Sequence, residues 1–143
     1  METLHFSINI NASKEKVWKI LWGDKTFTDW TSVFAEGSYA VSDWMEGSRI
    51  QFIDPKSNHG MSSVIEKKIP NEFMSFKHLG EIINGEEQLS KEWSGALENY
   101  SLKENNGVTT LIVSLDTLEE WKKMFEDKFP KALQRVKELS ENS

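Results

Sequence analysis

The stretch Asp116–Leu139, DTLEEWKKMFEDKFPKALQRVKEL, decides how the rest of this chain must fold. Leu118, Trp121, Phe125, Phe129, Ala132, Val136 and Leu139 recur at spacings of three and four, which places them on one face of a long helix. Lys122, Lys123, Lys128, Lys131 and Arg135 fall off that stripe and are expected in solvent. Thr117 followed by Glu120 has the spacing of a capping box, and Pro130 removes one backbone donor inside the pattern. A stripe of tryptophan, phenylalanine and leucine needs a large apolar partner surface. The residues before it read as a sheet that supplies one.

Working back towards the N-terminus, Asn106-Gly107 separates two strand patterns, Leu97–Lys103 and Val108–Leu115, and is the strongest hairpin signal in the sequence. Further upstream, turn residues divide strands expected at Val33–Val41, Arg49–Asp54, Gly60–Ile69 and Phe73–Ile83, the last ending near Asn84-Gly85. Gln88–Ser94 fits either a loop or one helical turn. At the start, Leu4, Phe6, Ile8 and Ile10 alternate with polar residues as a half-buried strand. Ser13 then caps a short helix with Val17, Ile20 and Leu21 inward, and Thr26–Trp30 forms a second helical turn with Phe27 and Trp30 inward. The reading is one α+β domain spanning residues 1–143. A curved antiparallel sheet of about six or seven strands wraps a long C-terminal helix, with two short helices after the first strand.

Composition excludes several function classes. The formal charge is −6, so attraction to phosphate backbones or anionic lipid surfaces is absent, and neither nucleic acid nor membrane is an expected partner. There is no cysteine, hence no thiolate or disulfide chemistry. No secretion signal or long apolar run is visible, so a cytoplasmic location is the default, and two glycosylation sequons, at Asn11 and Asn99, read as chance. No cofactor is expected: glycine placement forms no phosphate cradle, and the three histidines have no metal-ligand spacing.

A set of short motifs is ordered along the whole chain: Val17-Trp18 with Leu21 and Trp30, Gly47-Ser48-Arg49 with Phe52, and Gly60 leading to Pro70. Later come Tyr100, Leu102, Gly107, Thr109 and Leu111, then Pro130-Lys131-Ala132-Leu133 with Val136-Lys137. Together they resemble the SRPBCC superfamily, the START-like helix-grip domains, and within it the branch of homologues of the activator of heat-shock-protein-90 ATPase. The chain departs from the pattern at Phe129-Pro130, where many relatives carry Gly-Trp. The resemblance implies a cavity between sheet and last helix, used by relatives for sterols, lipids, hormones, polyketides or aromatic compounds. Some relatives are cyclases or hydroxylase components, and the eukaryotic namesake stimulates a chaperone ATPase.

From the residues themselves, Trp44, Phe52, Phe76, Trp93, Tyr100, Leu111, Val113, Trp121, Phe125 and Phe129 are the candidates to line that cavity. With eight phenylalanines and six tryptophans, these side chains either fill the space or leave a pocket for a lipid-like or planar aromatic molecule. His78 shares strand parity with Met74 and Phe76, and Glu98 shares it with Tyr100, so both are candidate polar anchors. No catalytic constellation is visible. Three readings follow. The first is a module binding a small hydrophobic molecule. The second is a stress-related or co-chaperone-like interaction domain with a chaperone or other protein partner. The third is a cyclase- or lyase-type enzyme using His78 or Glu98, with Tyr100 orienting. A monomer or weak homodimer is expected.

Overall fold

The computed structural model describes residues 1–89 and 92–142. The elements run β1 (Glu2–Ile10), α1 (Lys14–Trp22), α2 (Asp24–Thr31), β2 (Tyr39–Val41), β3 (Arg49–Asp54), β4 (His59–Ile69), β5 (Phe73–Ile83), β6 (Glu86–Leu89), β7 (Leu97–Asn105), β8 (Val108–Thr117) and α3 (Glu119–Glu141). The strands form one antiparallel sheet in the order β1-β8-β7-β5-β4-β3-β2, with β6 added to β5. This is the α+β helix-grip architecture, with eight strands rather than six or seven.

The additional strand is β6. It follows Asn84-Gly85, both at positive φ (52° and 81°), the backbone of a two-residue hairpin turn. Asn106-Gly107 has the same conformation, at 52° and 81°, between β7 and β8. The sequence reading missed β6 because Glu86-Glu87-Gln88-Leu89 is exposed throughout and shows no apolar alternation. Its role is to pair the far half of β5, from Gly80 to Ile83, beyond the point where β7 begins at Lys77. Gly80 is required there: a Cβ would lie 2.1 Å from the Gln88 carbonyl oxygen. Of the expected Gln88–Ser94 segment, Gln88 and Leu89 are strand, Glu92 and Trp93 lie in a bend, Ser94 lies in a turn, and residues 90 and 91 fall outside the described residues.

The expected strand over Val33–Val41 is reduced to Tyr39–Val41. Phe34 and Ala35 instead continue to hydrogen-bond back to Thr31, and Gly37 turns the chain at φ 80°. The capping box at Thr117 does not form. β8 stays paired through Thr117, opposite Glu2, so that side chain is buried in the sheet and Leu118 opens the helix without a side-chain cap. Ser13 does cap α1, accepting from the Lys16 amide at 3.2 Å.

α3 lies across the sheet unevenly. Its C-terminal half buries Phe129, Ala132, Leu133, Val136 and Ser140, whereas Trp121 and Phe125 in the first turns are half-buried. Leu133 belongs to the seam although the three-and-four stripe omitted it. Phe129 stacks on Phe6 of β1, with centroids 5.1 Å apart and an interplanar angle of 17°. The basic residues do more than face solvent. Arg135 donates from Nε and Nη2 to both oxygens of Asp29 in α2, at 2.6 and 2.9 Å. That hydrogen bond, with the guanidinium charge, holds the Asp29 carboxyl below its ordinary value against the effect of burial. The pair is over a third exposed, so its contribution is about 1 kcal/mol or less.

Leu133→Ala should therefore cost about 2–5 kcal/mol, the usual range for emptying a well-packed leucine site. The neighbouring exposed Gln134→Ala should stay within about 0.5 kcal/mol. Urea unfolding midpoints with unchanged slopes would establish the difference; equal costs would place the seam elsewhere.

Candidate functional site

Beneath the N-terminal half of α3 the helix and sheet do not meet, and a cavity of about 410 Å³ remains. Its walls come from α2 (Phe27, Trp30), Phe34, the sheet (Phe52, Phe76, Tyr100) and α3 (Phe125, Phe129). The exposed Tyr39, His59 and Met124 lie at its rim. A smaller space of about 50 Å³ adjoins it, lined in part by Trp93 and Trp121, whose rings meet edge to face at 6.2 Å. Met61, His78, Glu98 and Phe125 border both spaces.

The candidates from sequence thus divide. Phe52, Phe76, His78, Glu98, Tyr100, Phe125 and Phe129 line the main cavity, and Trp93 and Trp121 the smaller one. Leu111 and Val113 line neither; both are fully buried core of β8. Trp44 lines neither as well. It is held at φ 63° in an aromatic cluster, its ring 5.8 Å from Trp22 and 6.1 Å from Phe27. Trp22 was not anticipated and is the hub of that cluster, with Tyr100 at 5.0 Å and Phe76 at 5.3 Å, both edge to face. Its indole N–H is buried and has no hydrogen-bond partner. Helical spacing gave no sign of it, because Trp22 is the last residue of α1, beyond the Val17–Leu21 face.

One side of the cavity is polar, and strand register assembles it. Ser63 on β4 pairs with His78 on β5, and Phe76 pairs with Glu98 on β7. Glu98 and Tyr100 are two residues apart on one strand and share a face. The backbone of His78 is fixed from both sides, its N–H on the Ala96 carbonyl and its own carbonyl on the Gly95 N–H, each at 2.8 Å. Side chains then form a chain: Ser63 Oγ to His78 Nδ1 at 2.6 Å, His78 Nε2 to Glu98 Oε1 at 3.0 Å, and Tyr100 OH donating to Glu98 Oε2. The carboxylate accepts from both the His78 Nε2–H and the Tyr100 hydroxyl, and the Ser63 hydroxyl pairs with Nδ1 on the far side of the ring. His78 and Ser63 are buried, while about a quarter (24%) of the Glu98 side chain stays accessible.

Ser63 is the member that sequence reading missed. A β-bulge explains why: Ser62 pairs with Gly80 but Ser63 with His78, leaving Leu79 over, and a second shift leaves Glu66 over. Glu66 is exposed. His5 is exposed on β1, and His59 sits at the rim. Among the described residues no three His, Asp or Glu side chains converge to hold a metal ion.

The electrostatics follow from this placement. Burial acts to raise the Glu98 carboxyl. The hydrogen bond and charge of His78, with the Tyr100 hydroxyl, more than offset it and leave Glu98 below its ordinary value. Burial, then the charge and hydrogen bond of Glu98, push the Tyr100 phenol well above its ordinary value. The arrangement can anchor a polar group and, through the adjacent imidazole and carboxylate, can accept or return a proton.

No protein-family profile and no curated protein sequence matches this chain. Solved structures do. The chain is similar to the Aha1 dimer from Colwellia psychrerythraea, with a TM-score of 0.78 and 20% identity over 99% of this chain and 97% of that one. It is similar to protein MLL2253 from Mesorhizobium loti, with a TM-score of 0.79 and 12% identity over 99% and 98%. It is also similar to DynU16 from the dynemicin biosynthetic locus, with a TM-score of 0.72 and 11% identity over 96% of this chain and 46% of that one. These likenesses establish the fold: the helix-grip architecture implied by the SRPBCC resemblance is the one this chain has, and an Aha1 structure is among those that share it. Among the described residues no helix is long and apolar enough to cross a membrane.

Two pH effects should follow. Glu98 has a folded value below its ordinary 4.5. Its contribution to stability is therefore present above that pH and is lost as pH falls through the folded value. Tyr100 is raised above 10.0, so its contribution is present below that pH and is lost as pH rises through the folded value. Phenolate absorbance of wild type minus Tyr100→Phe should show the Tyr100 signal appearing well beyond pH 10, together with unfolding. A phenolate appearing at the ordinary pH would mean the hydroxyl is not held by Glu98. At neutral pH Tyr100→Phe should cost roughly 1.5–3 kcal/mol, the scale of a hydrogen bond to a charged group.

Proposed function

We propose that this chain binds a small, largely apolar molecule, planar aromatic or lipid-like, in the cavity between the sheet and α2–α3. The observation that carries the reading is the cavity itself: about 410 Å³ walled by aromatic rings with one polar side. That volume lies in the range of sites for small organic ligands, and its apolar lining with a few convergent polar groups is their usual composition. The crowded aromatic content has not closed the space, because α3 is seated on the sheet only through its C-terminal half.

A second reading, an acid–base enzyme, is favoured by one specific contact. His78 and Glu98 are hydrogen-bonded to each other on the cavity wall, with Tyr100 on the second carboxylate oxygen. An imidazole–carboxylate pair facing an apolar space is suited to moving a proton on a bound substrate, as cyclisation or elimination requires. Ser63 acts as a positioning residue here, since it is fully buried and does not line the cavity. The interaction-domain reading draws support from the likeness to a dimer of Aha1 and from exposed Tyr39 and Val41 on the edge strand β2.

The ligand-binding reading is tested by native mass spectrometry of freshly purified protein, followed by thermal-shift screening with sterols, fatty acids and planar aromatics. A binder present at about 100 times its Kd should add about 2.7 kcal/mol and raise Tm by roughly 5–10 °C. Met61→Trp, which fills the border between the two spaces, should keep the fold and remove most of that shift. A bare mass with no stabilising compound would end the reading.

A further inference from the structure

The polar side of the cavity carries a sign. Each oxygen of the Glu98 carboxylate holds one protein donor, His78 Nε2 or Tyr100 OH, whereas a carboxylate has about four acceptor positions in all. The accessible part of the side chain adjoins the cavity, so the spare positions face the space a ligand would occupy. Among the described residues no lysine or arginine forms an ion pair with Glu98. Lys128 lines the same cavity from α3, but its Nζ is directed at the Phe34 carbonyl oxygen, at 3.4 Å.

Three ligand chemistries meet this wall differently. A hydrocarbon covers the carboxylate and removes its remaining water without replacing it. An anion does the same and adds like-charge repulsion. A protonated amine supplies donors to the open carboxylate positions and neutralises the charge. It also meets the faces and edges of Trp22, Phe76 and Tyr100, clustered within 5.0–6.2 Å of one another, and aromatic faces attract cations. Resting on the ligand-binding reading above, we infer that the cavity selects an aromatic or otherwise apolar molecule bearing a protonated amine, seated with the amine on Glu98 and the body among the rings.

The test is isothermal titration of the full chain with three matched probes: 2-(1-naphthyl)ethylamine, 1-ethylnaphthalene and 1-naphthylacetate. The amine should bind at least about tenfold more tightly than the hydrocarbon, the scale of one charge-assisted hydrogen bond, and the acid should bind most weakly. Glu98→Gln should erase the advantage of the amine over 1-ethylnaphthalene, as expected once the carboxylate charge is gone. If the hydrocarbon binds as well as the amine, or the acid binds best, the selectivity is overturned while the pocket stands. Failure of all three probes to bind the wild-type protein would overturn both. The wild-type ranking decides the matter even if Glu98→Gln does not fold.

Discussion

A long amphipathic helix must surrender its apolar face to something, and in this fold the sheet accepts only part of it. α3 closes on β1, α1 and the sheet through Phe129, Ala132, Leu133 and Val136, where small and branched side chains allow close approach. Towards its start the same face carries Trp121 and Phe125, which stay half-buried. The helix is thus held at one end and propped at the other. The cavity is the geometric consequence of that unequal seating, and every later feature of the site depends on it.

Within the propped region, chemistry is set by what the strands bring to one face. Aromatic rings are satisfied by one another at 5–6.5 Å, so they need no solvent and tolerate an unfilled neighbour. A carboxylate is different. Glu98 persists beside them because His78 and Tyr100 donate to it, and His78 in turn is held by Ser63. Each member fixes the next, from a fully buried serine to a partly accessible acid. The polar chain therefore runs from the interior outward into the cavity and ends on its only open group.

Much of this was legible in the sequence. The three-and-four stripe of the last helix, the alternation of β1, the Ser13 cap and the Asn106-Gly107 hairpin each have one dominant physical reading, and each appears as read. His78, Glu98 and Tyr100 were recoverable from strand parity alone. What escaped depends on information that pattern does not carry. β6 has no apolar face to announce it, and the Asn84-Gly85 turn was taken for a strand end. Thr117 was spent in the sheet rather than on the helix. Leu111 and Val113, the candidates on β8, do face inward, yet they are fully buried core and line no part of the cavity. The Ser63–His78 contact was out of reach because a leftover residue, Leu79, sets which serine meets the imidazole.

The hub position of Trp22 has an optical consequence. Trp18, Trp30 and Trp44 lie 6.1, 6.4 and 5.8 Å from it, close enough that light absorbed by one indole is shared among the four before it is emitted. Trp22 and Trp30 both border the cavity, so an aromatic guest would lie against the emitting group itself. The protein's own ultraviolet emission is thereby a built-in indicator of whether the space is occupied, with no label attached.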